Sequence, residues 1–230
     1  MFWSDEDDNK KKGFAIPDDV VDLAFRINCP TLPLDHAHAL SASLLESLPW
    51  LKDEEYAAIH LIHGAASGNG WFRPEDVKNE LLHLSKRTRM RLRLPRNRLD
   101  DARELTGKTL DIAGHPLELG KSEVYLLSSL STLFARYVVA DENQDETQFL
   151  EETARSLKSM GVSSRKLLGG ITHAMDFPGG AVFTRSLMVA ELEPEQSVRL
   201  QQAGLGEGRT IGCGIFLPHK GIKAVKEEDD

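Results

Sequence analysis

The 230-residue sequence is poor in cysteine, with only Cys29 and Cys213. Neither belongs to a CxxC pair or has a histidine at ligand spacing, which argues against a disulfide framework and a structural zinc site. Both cysteines read as small buried hydrophobes. Aromatic residues make up 7% of the chain, and no RNP1-type aromatic pattern occurs. Base stacking of the RRM sort is therefore not indicated. No run of eighteen apolar residues exists and no signal-peptide pattern opens the chain, so a soluble, cytoplasmic protein is expected. The P-loop, Rossmann fingerprint, HExxH zinc motif, nucleophile elbow and helix-turn-helix are all missing, and no metal or cofactor is expected.

Positive charge is also scarce, with 28 Lys and Arg against 36 Asp and Glu, a net charge of -8. The ends account for most of this. Residues 1–19 and 224–230 each carry -3, which leaves -2 on the body. Both ends are polar and read as flexible tails.

Within the body, hydrophobic periodicity outlines the elements. VVDLAFRINC (20–29) reads as a strand. Asp35 is a plausible N-cap for a helix to about Leu51, whose stripe is Ala37, Leu40, Leu44, Leu48 and Leu51. AIHLIHG (58–64) reads as a strand leading into a Gly-rich loop, GAASGNGW (64–71), in which Trp71 is a packing anchor. RTRMRLRL (87–94) alternates strictly. A short helix over 97–106 and a strand or hairpin over 108–127 complete β-α-β-β-α-β, the ferredoxin-like order. The order then repeats. LFARYVVA (133–140) is a strand, 145–160 a helix, 165–175 and 182–192 a hairpin, and 194–203 a helix. GLGEGRTIGCGIFLP (204–218) is a Gly-rich loop running into a strand. The expected class is α+β, two tandem ferredoxin-like domains over 20–130 and 131–223. The repeat is one of pattern, not of residues.

Three features could carry chemistry. The first is a run of seven cations, Lys86, Arg87, Arg89, Arg91, Arg93, Arg96 and Arg98. On a strand, Arg87, Arg89, Arg91 and Arg93 would line one face about 6.6 Å apart, near phosphate spacing. Such a stripe suits an anionic partner, RNA or DNA, better than a solvated face pairing with Asp100, Asp101 and Glu104. The second is Gly204, Gly206, Gly208, Gly212 and Gly214 around Arg209, which suits either close approach of a ligand backbone or a simple glycine turn. The third is histidine. At 100° per residue, His36 lies roughly 80° from the centre of the first helix's apolar stripe and His38 roughly 120°. His36 therefore borders the buried face, and a helix N-terminus favours its neutral form. His60 and His63 lie three apart in a strand and face opposite sides.

Several stretches together resemble the RAMP superfamily, and within it the Cas-six family of CRISPR repeat endoribonucleases in its type I-MYXAN-like variant. They are LPLDHAHAL (32–40), IHGAASGNGW (62–71), LLHLSKRTRMRLRLP (81–95), LTGKTLDIAGHPLELG (105–120), TRSLMVAELEPEQSVRLQQAGLG (184–206) and GRTIGCGIFLPHKGI (208–222). The resemblance implies metal-independent cleavage of repeat RNA in precursor crRNA. A ribose 2′-hydroxyl would attack the adjacent phosphate and leave 2′,3′-cyclic phosphate and 5′-hydroxyl ends. It points to His36 as the main catalytic group, His38 second and His63 third. The partner acid stays unassigned, and the first helix offers only Ser41 and Ser43. Arg87, Arg89, Arg91, Arg93, Arg96, Arg209, Lys220 and the glycines would bind repeat RNA. The expected partners are crRNA and other Cas subunits of a type I effector complex. The alternative is a noncatalytic RAMP subunit that binds guide RNA and has no need of His36.

Overall fold

A computed structural model describes residues 14–63, 80–164 and 166–219. Its scaffold is two antiparallel sheets. The first is built from β1 (Val20–Asn28), β3 (Ala58–Ile59), β5 (Arg89–Pro95), β6 (Thr109–Ile112) and β7 (His115–Leu126), in the order β3-β5-β1-β7-β6. The second comprises β8 (Leu133–Val139), β9 (Lys166–Met175), β10 (Val182–Ala190) and β11 (Leu217–Pro218), in the order β11-β8-β10-β9. Taking β1, β3, β5 and β7 as one set of four and β8 to β11 as the other, both sheets have the spatial order 4-1-3-2 of the ferredoxin-like fold.

Helices α1 (Ala37–Ser47) and α2 (Leu99–Arg103) belong to the first unit, α3 (Glu146–Ser159) and α4 (Pro194–Ala203) to the second. Alternation on the strands explains how each sheet packs. Val21, Leu23 and Phe25 of β1, with Met90, Leu92 and Leu94 of β5, are fully buried against Leu40 and Leu44 of α1. The second core joins Leu133, Ala135, Leu187 and Val189 to Phe149, Leu157 and Leu200.

Element ends follow local chemistry. Asp145 accepts the Gln148 N–H and Gln148 accepts back from Asp145, a capping box that starts α3. Pro194 opens α4, and Gly204 closes it at φ 69°. α1 is shorter than its apolar stripe suggests. Pro49 disfavours helix at Leu48, so the chain breaks there and resumes as a 3-10 turn over Pro49–Lys52, which still buries Leu51. Asp35 does not cap α1. It faces the second unit, where its carboxylate accepts the Asp176 N–H at 3.1 Å. The 58–64 strand shrinks to Ala58–Ile59, and a two-stranded ribbon absent from the sequence reading pairs β2 (Thr31–Pro33) with β4 (Leu81–His83). The amino-terminal segment is also less free than its polarity implied. Phe14 and Ile16 pack on Val20, Leu127 and Val198, while residues 1–13 and 220–230 lie outside the described residues.

The two units are joined by buried polar contacts. Arg93 points away from the first core and is 1% exposed. Its guanidinium meets Asp22 bidentately, Nε to Oδ1 at 2.8 Å and Nη2 to Oδ2 at 3.1 Å. Nη1 donates to the carbonyls of Gln201 and Phe216 in the second unit at 2.8 and 3.1 Å. Burial by itself would raise the Asp22 pKa, but the charge and hydrogen bonds of Arg93 help hold the carboxyl far below its usual range. Gln201 extends the joint by donating to the Ser128 carbonyl and accepting the Ser128 N–H.

Arg93→Met is expected to destabilise the protein by about 3–5 kcal/mol, because Asp22 is left charged and buried. Adding Asp22→Leu should recover only part of the loss, since the Gln201 and Phe216 carbonyls still lack a donor. Urea unfolding of both variants checks this.

Candidate catalytic cleft and nucleic-acid interface

The first turn of α1 presents two histidines to opposite environments. His36 is 2% exposed, and both ring nitrogens are engaged. Nδ1 lies 2.9 Å from the Pro33 carbonyl and 3.2 Å from that of Leu34, while Nε2 accepts the Ile62 N–H at 3.1 Å. Carbonyls on one side and an N–H on the other assign the neutral Nδ1–H tautomer. In this structure both nitrogens are thus taken up by backbone groups. The ring ties the start of α1 to the 60–63 segment. His38, two residues on, is exposed and makes an edge-on contact with Phe177, ring centroids 5.6 Å apart.

His63 ends the tied segment and is exposed. The protein packed around it and the charge of Arg136 both lower its pKa, which keeps the imidazole neutral. His60, on the opposite side of the segment, is buried 3.4 Å from Asp22. Ser41 is buried and the Ser43 hydroxyl donates to the Asp111 carbonyl, so both of these serines are engaged by the fold.

The second unit forms the facing wall. Ala37 of α1 packs with Met175 and Cys213, flanked by Leu61, Tyr137, Phe177 and Ile211. Tyr137 meets His173 edge-on at 5.6 Å. The sequence reading singled out none of Arg136, Tyr137, His173 and Phe177. Tyr137 and His173 come together only through the second sheet, and nothing in the local pattern of either marks a site.

The Gly-rich loop is part of this wall, but its glycines serve the fold. A Cβ at Gly212 would lie 2.4 Å from Leu61 Cγ, and one at Gly214 2.2 Å from the Leu205 carbonyl oxygen. Gly204 and Gly208 are likewise closed in by Arg209, Ile211 and Cys213. Only exposed Gly206 has open space around it. Arg209 turns inward rather than toward a phosphate. It donates to the Gln202 and Ala203 carbonyls, satisfying the end of α4, and to Tyr56 O at 3.2 Å. Burial and the nearby Arg93 charge lower its pKa to about 10.

The arginine stripe is graded rather than uniform. Arg87 is exposed before β5. Arg89 is half-buried and donates to the Lys86 and Thr88 carbonyls, both at 2.9 Å. Arg91 lies 5.2 Å over the Tyr125 ring. Arg93 is the buried joint described above, its guanidinium fully engaged by Asp22 and two carbonyls. Arg96 is exposed but paired with Asp18. Lys220 and the 64–71 loop with Trp71 lie outside the described residues. Among the described residues, no group of three or more His, Cys, Asp and Glu side chains is placed to hold a metal ion, and no helix is long and apolar enough to cross a membrane.

The Cas6 family model, described as Cas6 Crispr, matches residues 21–221. The chain belongs to the Cas6 family. It is 33% identical over 198 residues to the CRISPR-associated endonuclease Cas6 of Myxococcus xanthus strain DK1622, covering 86% of this chain and 81% of that protein. Two solved structures share the Cas6 fold at low identity. One is a CRISPR-associated Cas6 protein (TM-score 0.61, 11% identity, 87% of this chain and 100% of that one). The other is a Cas6-related protein from Pyrococcus furiosus (TM-score 0.57, 12% identity, 90% and 100%).

Acid should loosen this Cas6 cleft from beneath. Burial lowers the His60 pKa below its ordinary 6.5 despite the opposing Asp22 charge. An imidazole that stays neutral when folded but protonates when unfolded makes stability fall as pH drops below about 6.5, by up to about 1.4 kcal/mol per pH unit. His60→Gln should flatten that fall between pH 6.5 and 5, read by urea midpoints.

Proposed function

We propose that the chain is the repeat-cleaving endoribonuclease of a CRISPR system, with His38 and His63 as its proton-transfer groups. The observation that carries this reading is the His36 tether. It ties the helix turn that bears His38 to the segment that ends in His63, and the Arg136 charge acts on His63. Family membership supplies the reaction class.

His63, held neutral by its lowered pKa, accepts the proton of the ribose 2′-hydroxyl. The 2′-oxygen attacks the adjacent phosphorus and the bond to the 5′-oxygen breaks. His38 delivers a proton to that leaving oxygen, and Arg136 offsets charge on the crowded phosphate. The products are a 2′,3′-cyclic phosphate and a 5′-hydroxyl, and no step draws on a metal. Arg87, Arg89 and Arg91, with Arg26 beside them on β1, bind the repeat backbone, and Lys220 adds a contact from beyond the last strand. The chain works as two ferredoxin-like halves meeting near residue 130. It acts inside the cell and stays on the cleaved repeat handle, where other Cas subunits join it. A RAMP subunit that binds guide RNA without cutting would keep the arginines and have no use for the exposed histidines.

Incubation with the repeat RNA of its own array in excess EDTA tests the reading. A single cut with a cyclic phosphate end is expected. His38→Ala and His63→Ala should each slow single-turnover cleavage by about 10²- to 10⁴-fold with binding retained. Tight binding without a cut by the parent protein would establish the noncatalytic subunit instead.

A further inference from the structure

The open face of the first sheet carries a feature that goes beyond phosphate contacts. Tyr125 of β7 sits opposite Asp22 of β1, and Arg91 of β5 sits opposite Ala24. That places both on the face away from the first core. The Arg91 guanidinium lies over the Tyr125 ring at 5.2 Å, yet the tyrosine remains 42% exposed. Its hydroxyl donates to Glu123 Oε2 at 2.9 Å, and Glu123 Oε1 accepts from Arg26 at 3.3 Å. The ring is thus held by a cation on its surface and a hydrogen bond at its tip, and it offers apolar area to solvent.

The chemistry of the cluster selects a base rather than another phosphate. Glu123 lies between Arg26 and Tyr125 as a carboxylate, held ionised by the tyrosine hydrogen bond and the Arg26 charge. A phosphate next to it would be repelled. Nucleobases instead stack on exposed aromatic rings and on guanidinium planes, and a carboxylate accepts from exocyclic amino groups. Backbone cations stand at one end of the cluster, where Arg89 lies opposite Arg26 in the register. An RNA strand following the arginines would pass Tyr125 with a base free to turn onto it.

We infer that Tyr125, Arg91 and Glu123 form a stacking subsite for one unpaired nucleotide of the RNA. The subsite rests on the repeat-RNA reading above and adds to it a base contact outside the cleavage chemistry.

The test uses the full chain and its array's repeat RNA, with 2-aminopurine placed in turn at each unpaired position. The subsite predicts one position whose fluorescence is quenched on binding by the parent and by Tyr125→Phe, and not by Tyr125→Ala. Tyr125→Ala should bind about tenfold or more weakly, with the parent's dependence on salt, because no phosphate contact is lost. Arg89→Ala should instead reduce the salt slope. Circular dichroism and urea midpoints matching the parent show that Tyr125→Ala is folded. Parental affinity and quenching in Tyr125→Ala overturn the inference and leave this face to a protein partner. Equal loss in Tyr125→Phe and Tyr125→Ala also overturns it, because the hydroxyl rather than the ring would then be responsible. A parent that fails to bind the RNA overturns the repeat-RNA reading and the subsite together, which separates the two failures.

Discussion

The arrangement of the molecule depends on one buried guanidinium. Arg93 leaves the first sheet on the side away from its core and spends four hydrogen bonds on the joint, two to Asp22 and two to carbonyls of the second unit. A buried ion pair is not in itself a source of stability, because both ions lose their hydration. Its value here is in direction. The planar fork fixes the angle between β1 and β5 on one side and the end of α4 with the approach to β11 on the other. The rest of the joint is built around this. Arg209 closes the end of α4 and reaches Tyr56 of the first unit. The loop after α4 packs Gly212 against Leu61, one residue before the N–H that His36 accepts. The cleft walls are therefore set from the joint outward.

This explains how an acidic chain can present an RNA-binding face. Net charge governs behaviour at distance, while phosphate contacts answer to local charge within about a Debye length, roughly 8 Å at physiological salt. The acidic ends contribute most of the net charge. On the sheet face, by contrast, Arg26, Arg89 and Arg91 stand close together. Burial increases from exposed Arg87, just before β5, to buried Arg93 within it.

Much of the fold was readable because its determinants are local. The stripes of α1 and α3 and the alternation of β1 and β5 each declare their period within a dozen residues. The bounds of α4 follow from Pro194 and Gly204 alone. The strands near the cleft were less readable. Ala58–Ile59 and Leu217–Pro218 are too short to carry a period, and their place comes from β5 and β8. The site was legible in residue type more than in role. Alternation placed Arg89, Arg91 and Arg93 on one side of β5, with Arg87 just before it. It had no means of showing that the second unit covers the end of that side, so Arg93 looked like its neighbours. The glycines misled in the same way. A sequence records that a side chain is absent, not whether Leu61 or a ligand fills the space.

His36 gives the same lesson for acid–base chemistry. Its angle from the apolar stripe pointed to the border of the buried face, and the ring is indeed at that border, turned inward. A neutral imidazole between a carbonyl pair and an N–H does mechanical work only in that protonation state. A second proton on Nε2 would face the Ile62 N–H donor to donor and release the link between α1 and the 60–63 segment. On the proposed mechanism, loss of cleavage in acid has two physical sources. One is protonation of the base itself, which lowers the rate and leaves the geometry intact. The other is release of the tether, which moves His38 and His63 apart. The two differ in their mutational signature. Replacing His36 with Gln keeps a polar side chain that can still accept the Ile62 N–H but cannot take up a proton near neutrality, so it removes the second source and leaves the first. Through its tether, His36 can therefore shape the pH dependence of a reaction beside it.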